Sequence, residues 1–255
     1  MRTIRLAVQY DGTDYHGWQV QPNGSSIQGT LQEALTAVTG EQATVTGAGR
    51  TDAGVHAIEQ VAAFTTASEL PAGTIKAALN AHLPDAIRIL DAREERSDFH
   101  PRYDAKGKRY FYMIASSRIL SPFLYRYVWR VPQALDIAAM RRALEHLRGT
   151  HDFSAFRASG CGARSTVRTI TSLSVEHLDA ISFMTIDIPG RFIKIVVEGD
   201  AFLRHMVRNI VGTAVEAGKG RRAPETMREL LLSRDRNGAG PTAPAHGLFL
   251  EKIIY

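Results

Sequence analysis

The chain has 255 residues, 44% hydrophobic and 22% charged, an ordinary globular balance that buries enough apolar surface to fold without staples. A single cysteine, Cys161, excludes an internal disulfide and a thiol-rich zinc site. The formal net charge is +5, with 25 of the 31 basic residues arginine. That charge is unevenly spread, from −5 over residues 1–100 to +10 over residues 101–255. A basic, arginine-rich half suits phosphate recognition, because the guanidinium fork grips two oxygens at once. A solvated surface biased toward arginine gives the same numbers, so charge alone leaves a nucleic-acid partner open. Met1–Leu6 lacks the apolar core of a signal peptide, and no apolar run approaches the roughly 20 residues that span a bilayer. A reduced, cytoplasmic setting without a membrane is the expectation.

Residues 3–10 alternate apolar and polar side chains, as a half-buried strand does. Ile27, Leu31, Ala34, Leu35 and Val38 recur at helical spacing over 27–38. Strand signals follow at 44–46 and 55–66, then a helix at 73–83 stopped by Pro84, and a strand at 86–92. This β-α-β-β-α-β order is the split βαβ arrangement of ferredoxin-like folds. A charged seam at 93–109 separates it from a second half with strands at 109–115 and 126–131 and a helix at 134–148. Residues 150–168 read as a long polar loop. Strands at 169–178 and 181–188, turning at Asp179-Ala180, precede a strand at 191–198 and a helix at about 201–217. A short helix to about 233 and a closing strand at 248–255 complete the chain. The expected architecture is α+β, with two ferredoxin-like subdomains (1–104 and 105–255), mainly antiparallel sheets and a cleft between them.

The segment Gly47-Ala48-Gly49-Arg50-Thr51-Asp52-Ala53-Gly54-Val55-His56 sets three glycines around one arginine and one aspartate, between two strand signals. Such a turn can present a carboxylate to a substrate. It can equally be an Asx-turn. A P-loop is disfavoured by the missing lysine and spacing, and a metal site by the absence of any recognised ligand pattern nearby.

Residues 49–57, Gly-Arg-Thr-Asp-Ala-Gly-Val-His-Ala, resemble the active-site motif of the tRNA pseudouridine synthase A family. The stretch Tyr10-Asp11-Gly12-Thr13-Asp14-Tyr15-His16-Gly17-Trp18-Gln19-Val20-Gln21 is similar to that family's opening signature. Lys108–Tyr112, Asp152–Arg157 and Ala201–Gly212 are similar to its central tyrosine strand and C-terminal domain. The likeness runs in order along essentially the whole chain. It departs at Arg204, where some relatives carry histidine, and is less distinctive in the loop after Phe156 and over 233–245.

The resemblance implies a tRNA uridine isomerase that needs no cofactor and no metal, because substrate and product hold the same atoms. It implies that Asp52 is the essential catalytic carboxylate, that Tyr110 stacks on the target uracil and receives its C5 proton, and that Arg208 partners Asp52. Arg50 would fill the space left by the everted base or hold a phosphate. The implied partner is tRNA, bound at the anticodon stem-loop by a homodimer. From the residues alone, Tyr110 and Tyr112 share one strand face opposite Phe111, and the common fate of such a stripe is Phe111 in the core and the tyrosines at the sheet surface. Arg204 and Arg208, four apart, would share a helix face. Arg157, Arg164 and Arg168 are candidates for phosphate contacts. Two other classes stay open. One is a non-catalytic RNA-binding module; the other is a metal-dependent hydrolase using His16, Asp52, His56 or His205.

Overall fold

The computed structural model describes residues 1–22, 24–160 and 162–255; Cys161 therefore lies outside the described residues. The fold is α+β, with ten strands and five α-helices among the described residues, the strands mostly antiparallel. The chain divides into two compact units: Met1–Lys108 with Phe249–Tyr255, and Arg109–Leu248. The last residues thus join the first unit rather than continuing the second. No helix of the described residues is long and apolar enough to cross a membrane.

The first unit runs β1 (Arg2–Tyr10), α1 (Ile27–Thr39), β2 (Thr46–Gly47), β3 (His56–Thr66), α2 (Ala72–His82) and β4 (Ile87–Glu95). Each lies within a few residues of its expected place. The period-2 pattern of β1 buries Ile4, Leu6, Val8 and Tyr10 together, and β1 sits centrally, antiparallel to both β3 and β4. Helix α1 starts where the Ser26 side chain accepts from the Gly29 amide, capping an otherwise orphaned donor, and ends on left-handed Gly40. It buries Ile27, Leu31, Ala34 and Leu35, four of the five expected residues. β2 pairs with β3 at Ala62-Ala63. Beside the other end of β3 lies β10 (Leu248–Ile254), parallel, with Phe249 opposite His56 and Leu250 opposite Ala57.

The second unit holds β5 (Gly107–Ser116, its first two residues in the first unit), β6 (Trp129–Val131), α3 (Ile137–Glu145), β7 (Gly149–Asp152), β8 (Val167–Phe183), β9 (Ile186–Gly199), α4 (Met206–Gly218) and α5 (Thr226–Ser233). Its strands are ordered β5-β9-β8-β7, with β6 on β5. Helix α3, capped by Asp136 onto the Ala139 amide, packs on α4 and β8.

Three expectations for this half are corrected. The hairpin turns at Met184-Thr185, not Asp179-Ala180; at the register shift between Leu178 and Ala180, Asp179 lies inside one long strand, opposite a bulge that Gly190 and Arg191 make in β9. The expected strands at 181–188 and 191–198 therefore do not exist as separate pieces. The polar stretch at 150–168 is not wholly loop, since its start is β7, paired with the start of β8.

Candidate active site

Asp52 sits on a turn closed by the Val55 amide donating to the Asp52 carbonyl at 3.1 Å. Gly54, third in that turn, has φ 76, a conformation that glycine adopts at little cost. The opening segment of the chain then grips the turn from outside. The Trp18 amide donates to the Thr51 carbonyl at 3.1 Å, and the Gly54 amide to the Tyr15 carbonyl at 3.3 Å. The Tyr10 and Thr51 hydroxyls lie 2.8 Å apart in a buried pair. Burial pushes the Tyr10 phenol far up, so this hydroxyl stays neutral and holds its hydrogen bond at any working pH. Gly17, at φ 90, admits the turn: a Cβ there would lie 2.5 Å from the Thr51 carbonyl oxygen.

On the far flank, Gln60 Nε2 donates to the Gly49 carbonyl at 3.0 Å and Lys108 Nζ to the Ala48 carbonyl at 2.8 Å. His56 is buried with its ring stacked on Phe249, and its Nδ1 lies 3.1 Å from both the Gly12 amide and the Asp11 carboxylate. These contacts make His56 part of the scaffold. Among the described residues no group of three or more His, Cys, Asp or Glu side chains is assembled for a metal. The result is a half-buried Asp52 on a backbone hydrogen-bonded from both flanks, with an exposed Arg50 two residues before it.

The second unit carries Tyr110 and Arg208. On β5 the alternation holds, but the faces are the reverse of the common pattern. Tyr110 and Tyr112 are buried, and Phe111 is half-buried beneath Lys194, whose Nζ stands 5.3 Å from the ring centre. Tyr110, 6% exposed, meets Phe202 edge-on at 5.1 Å.

Helix α4 begins only at Met206, because His205 takes a left-handed conformation at φ 62. Arg204 therefore precedes the helix, and the expected Arg204/Arg208 helix face is corrected. Leu203, Met206, Val207, Ile210 and Ala214 are all buried.

Arg208 is tied to the segment 240–244. Its Nε donates to the Ala243 carbonyl at 2.8 Å, while the Ala243 amide donates back to the Arg208 carbonyl at 3.1 Å. Tyr112 donates its hydroxyl to the next carbonyl, Pro244, at 2.7 Å. Burial pushes the Tyr112 phenol up, partly offset by the positive charge of Arg208. The other side of the segment is locked by Asn209, which is fully buried. Its Oδ1 accepts from Arg236 at 3.0 Å and from Thr242 at 2.6 Å, while its Nδ2 donates to the Phe156 carbonyl at 2.7 Å. The structure thus sets Asp52 and Arg50 in the first unit and Tyr110 and Arg208 in the second, each with its own support. Arg157 and Arg164 are exposed; Arg168 is half-buried on β8.

The supporting residues were not singled out from sequence. Tyr10, Gly17 and Trp18 fall in the opening segment quoted above, so a signal was present there. Nothing in the spelling of Tyr112, Asn209, Arg236 or Thr242 linked them to Arg208.

The family profile described as tRNA pseudouridine synthase matches residues 6–104 and 143–255. The chain is 48% identical to tRNA pseudouridine synthase A of Myxococcus xanthus, over all of this chain and 92% of that one. It is 46% identical to tRNA pseudouridine synthase A of Acetivibrio thermocellus and 41% identical to that of Thermodesulfovibrio yellowstonii, over the full length of both partners in each case.

Proposed function

Since the chain belongs to the tRNA pseudouridine synthase A family, whose members are isomerases, we propose that it converts uridines on the 3′ side of the tRNA anticodon stem-loop to pseudouridine. The reaction breaks the bond from uracil N1 to ribose C1′, turns the freed base, and joins C5 to C1′. C5 gives up a proton and N1 gains one, so the atoms balance and no redox group enters.

Asp52, ionised, assists cleavage of the glycosidic bond as nucleophile or base. Tyr110 packs against the detached uracil, which must be held while it rotates, and Arg208 supplies positive charge to the same nucleotide. Arg50, exposed beside Asp52, occupies the gap left by the everted base or grips a phosphate. The observation that carries this reading is the Asp52 turn. Trp18, Tyr15, Tyr10, Gln60 and Lys108 all bond to residues 48–54, an investment of buried polar contacts that a plain surface turn does not require.

A homodimer fits the exposed apolar surface of the second unit. Phe123 stacks on Phe183 at 5.2 Å, yet Phe123 is 60% exposed and the neighbouring hairpin tip, Met184, 90%.

The test is to incubate the purified protein with unmodified tRNA and map pseudouridine by nucleotide, with Asp52→Asn alongside. Asp52→Asn keeps the shape and removes the charge, and we expect turnover to fall by about 10³-fold or more. Substantial modification by that variant, or modification outside the anticodon arm, overturns the corresponding part of the reading.

A further inference from the structure

A cavity of about 580 Å³ opens within the second unit at the head of α4. Arg204, His205, Asn209, Arg236 and Thr242 line it, and no Asp or Glu is among its lining residues. The charge balance of this cavity is one-sided. Arg236 is half-buried, and the partners of its guanidinium are all neutral: the Gly240 carbonyl at 3.1 Å, Asn209 Oδ1 at 3.0 Å and Thr242 Oγ1 at 3.2 Å. Those acceptors fix the fork in place without cancelling its charge. A cation withdrawn from water without a counterion is costly, and such a site favours an anion that restores the balance. Arg204 stands exposed at the rim and adds a second guanidinium.

The backbone adds to the same field. His205 holds a left-handed conformation that a side-chain-bearing residue rarely adopts, and it breaks the chain so that α4 starts at the cavity wall. The positive end of a 13-residue helix therefore lies at the cavity wall.

We propose that this cavity is a docking site for a backbone phosphate of the RNA substrate, taken by Arg204 and by the pre-set fork of Arg236. It rests on the proposed function for the identity of the anion, and it adds a place on the enzyme that the reaction itself does not use. The cavity and Arg208 share the segment 240–244: Gly240, Pro241 and Thr242 line the cavity, with Thr242 bonded to Asn209 and Arg236, and the Ala243 carbonyl receives the Arg208 Nε. RNA held here is held against the wall that anchors Arg208.

The experiment measures tRNA binding by fluorescence anisotropy between 50 and 200 mM KCl for the wild type, Arg204→Ala, Arg204→Glu and Arg142→Ala. Arg142 is an exposed arginine on α3 outside the cavity lining and serves as the control. For Arg204→Ala the expectation is binding weaker by about three- to tenfold and a log–log salt slope smaller by about one. Arg204→Glu should be weaker still. A slope for Arg204→Ala that matches the wild type, or a loss no larger than that of Arg142→Ala, overturns the proposal. Binding is read without turnover, so a wild type that forms no pseudouridine would sink the proposed function and leave this measurement standing.

Discussion

The Asp52 turn and the Arg208 helix solve the same problem, fixing a charged group, by different means. Asp52 has two side-chain torsions, so holding its backbone nearly holds its carboxylate. The first unit therefore spends its contacts on main-chain atoms: the carbonyls of Ala48, Gly49 and Thr51 and the amide of Gly54 are each bonded to a residue outside the turn. Arg208 has four torsions, and a rigid helix under it fixes little. The second unit anchors the guanidinium itself on the Ala243 carbonyl and then stiffens that anchor from both sides, by Tyr112 on Pro244 and by Asn209 and Arg236 around Thr242. Short side chains are placed by backbone, long ones by their own partners.

The comparison breaks first at the turn. Gly17→Ala should bring a methyl to about 2.5 Å from the Thr51 carbonyl and force the turn to move. We expect a loss of about 10²-fold or more in pseudouridine formation together with about 1–3 kcal/mol of stability, read by kinetics and denaturant unfolding. Full activity in that variant would show that backbone placement of Asp52 is not what matters. Arg208→Lys keeps the charge but has no Nε donor for Ala243, and should cost about 10- to 100-fold in kcat while thermal unfolding stays close to wild type. Tyr112→Phe deletes a single hydroxyl. It should cost about 1 kcal/mol of stability, and roughly tenfold in activity if the Pro244 contact steadies Arg208. A stability loss without any change in kcat would separate the two functions of that carbonyl.

The smallest expected effect concerns acid. Glu216 sits below the usual carboxylate range; burial opposes this, and Lys219 and Arg221 overcome it. A carboxylate lowered on folding contributes stability above its unfolded value and loses it as pH falls through the folded one. Glu216→Gln should therefore flatten the acid limb of a stability–pH curve below about pH 4.5, by a few tenths of a kcal/mol. An unchanged limb would place the acid sensitivity elsewhere, with Asp152 next in line.

The first unit was legible almost element by element, because β1, α1, β3 and α2 each carry a clear period and clear stop signals. The long hairpin was not. Asp179, mid-strand and opposite a bulge, spells like a turn, and the true turn at Met184-Thr185 carries none of the usual turn residues. The start of α4 was misplaced for a related reason: His205 is a non-glycine in a left-handed conformation, and propensity gives no warning of that. Within the candidate site, Asp52 stood out as a local motif. The residues that brace Arg208 are dispersed from 112 to 244, and only folding brings them together.

The placement of β10 sets an order of assembly. Its parallel pairing with β3, and the stacking of Phe249 on His56 a few residues from Asp52, come from chain made only after all of the second unit. During synthesis the second unit has its whole sequence in hand, whereas the first waits with the His56–Ala57 end of one β3 edge unpaired and the His56 ring uncovered. A ribosome-bound chain should for that stretch of time be open there to whatever chaperone meets an unpaired strand end.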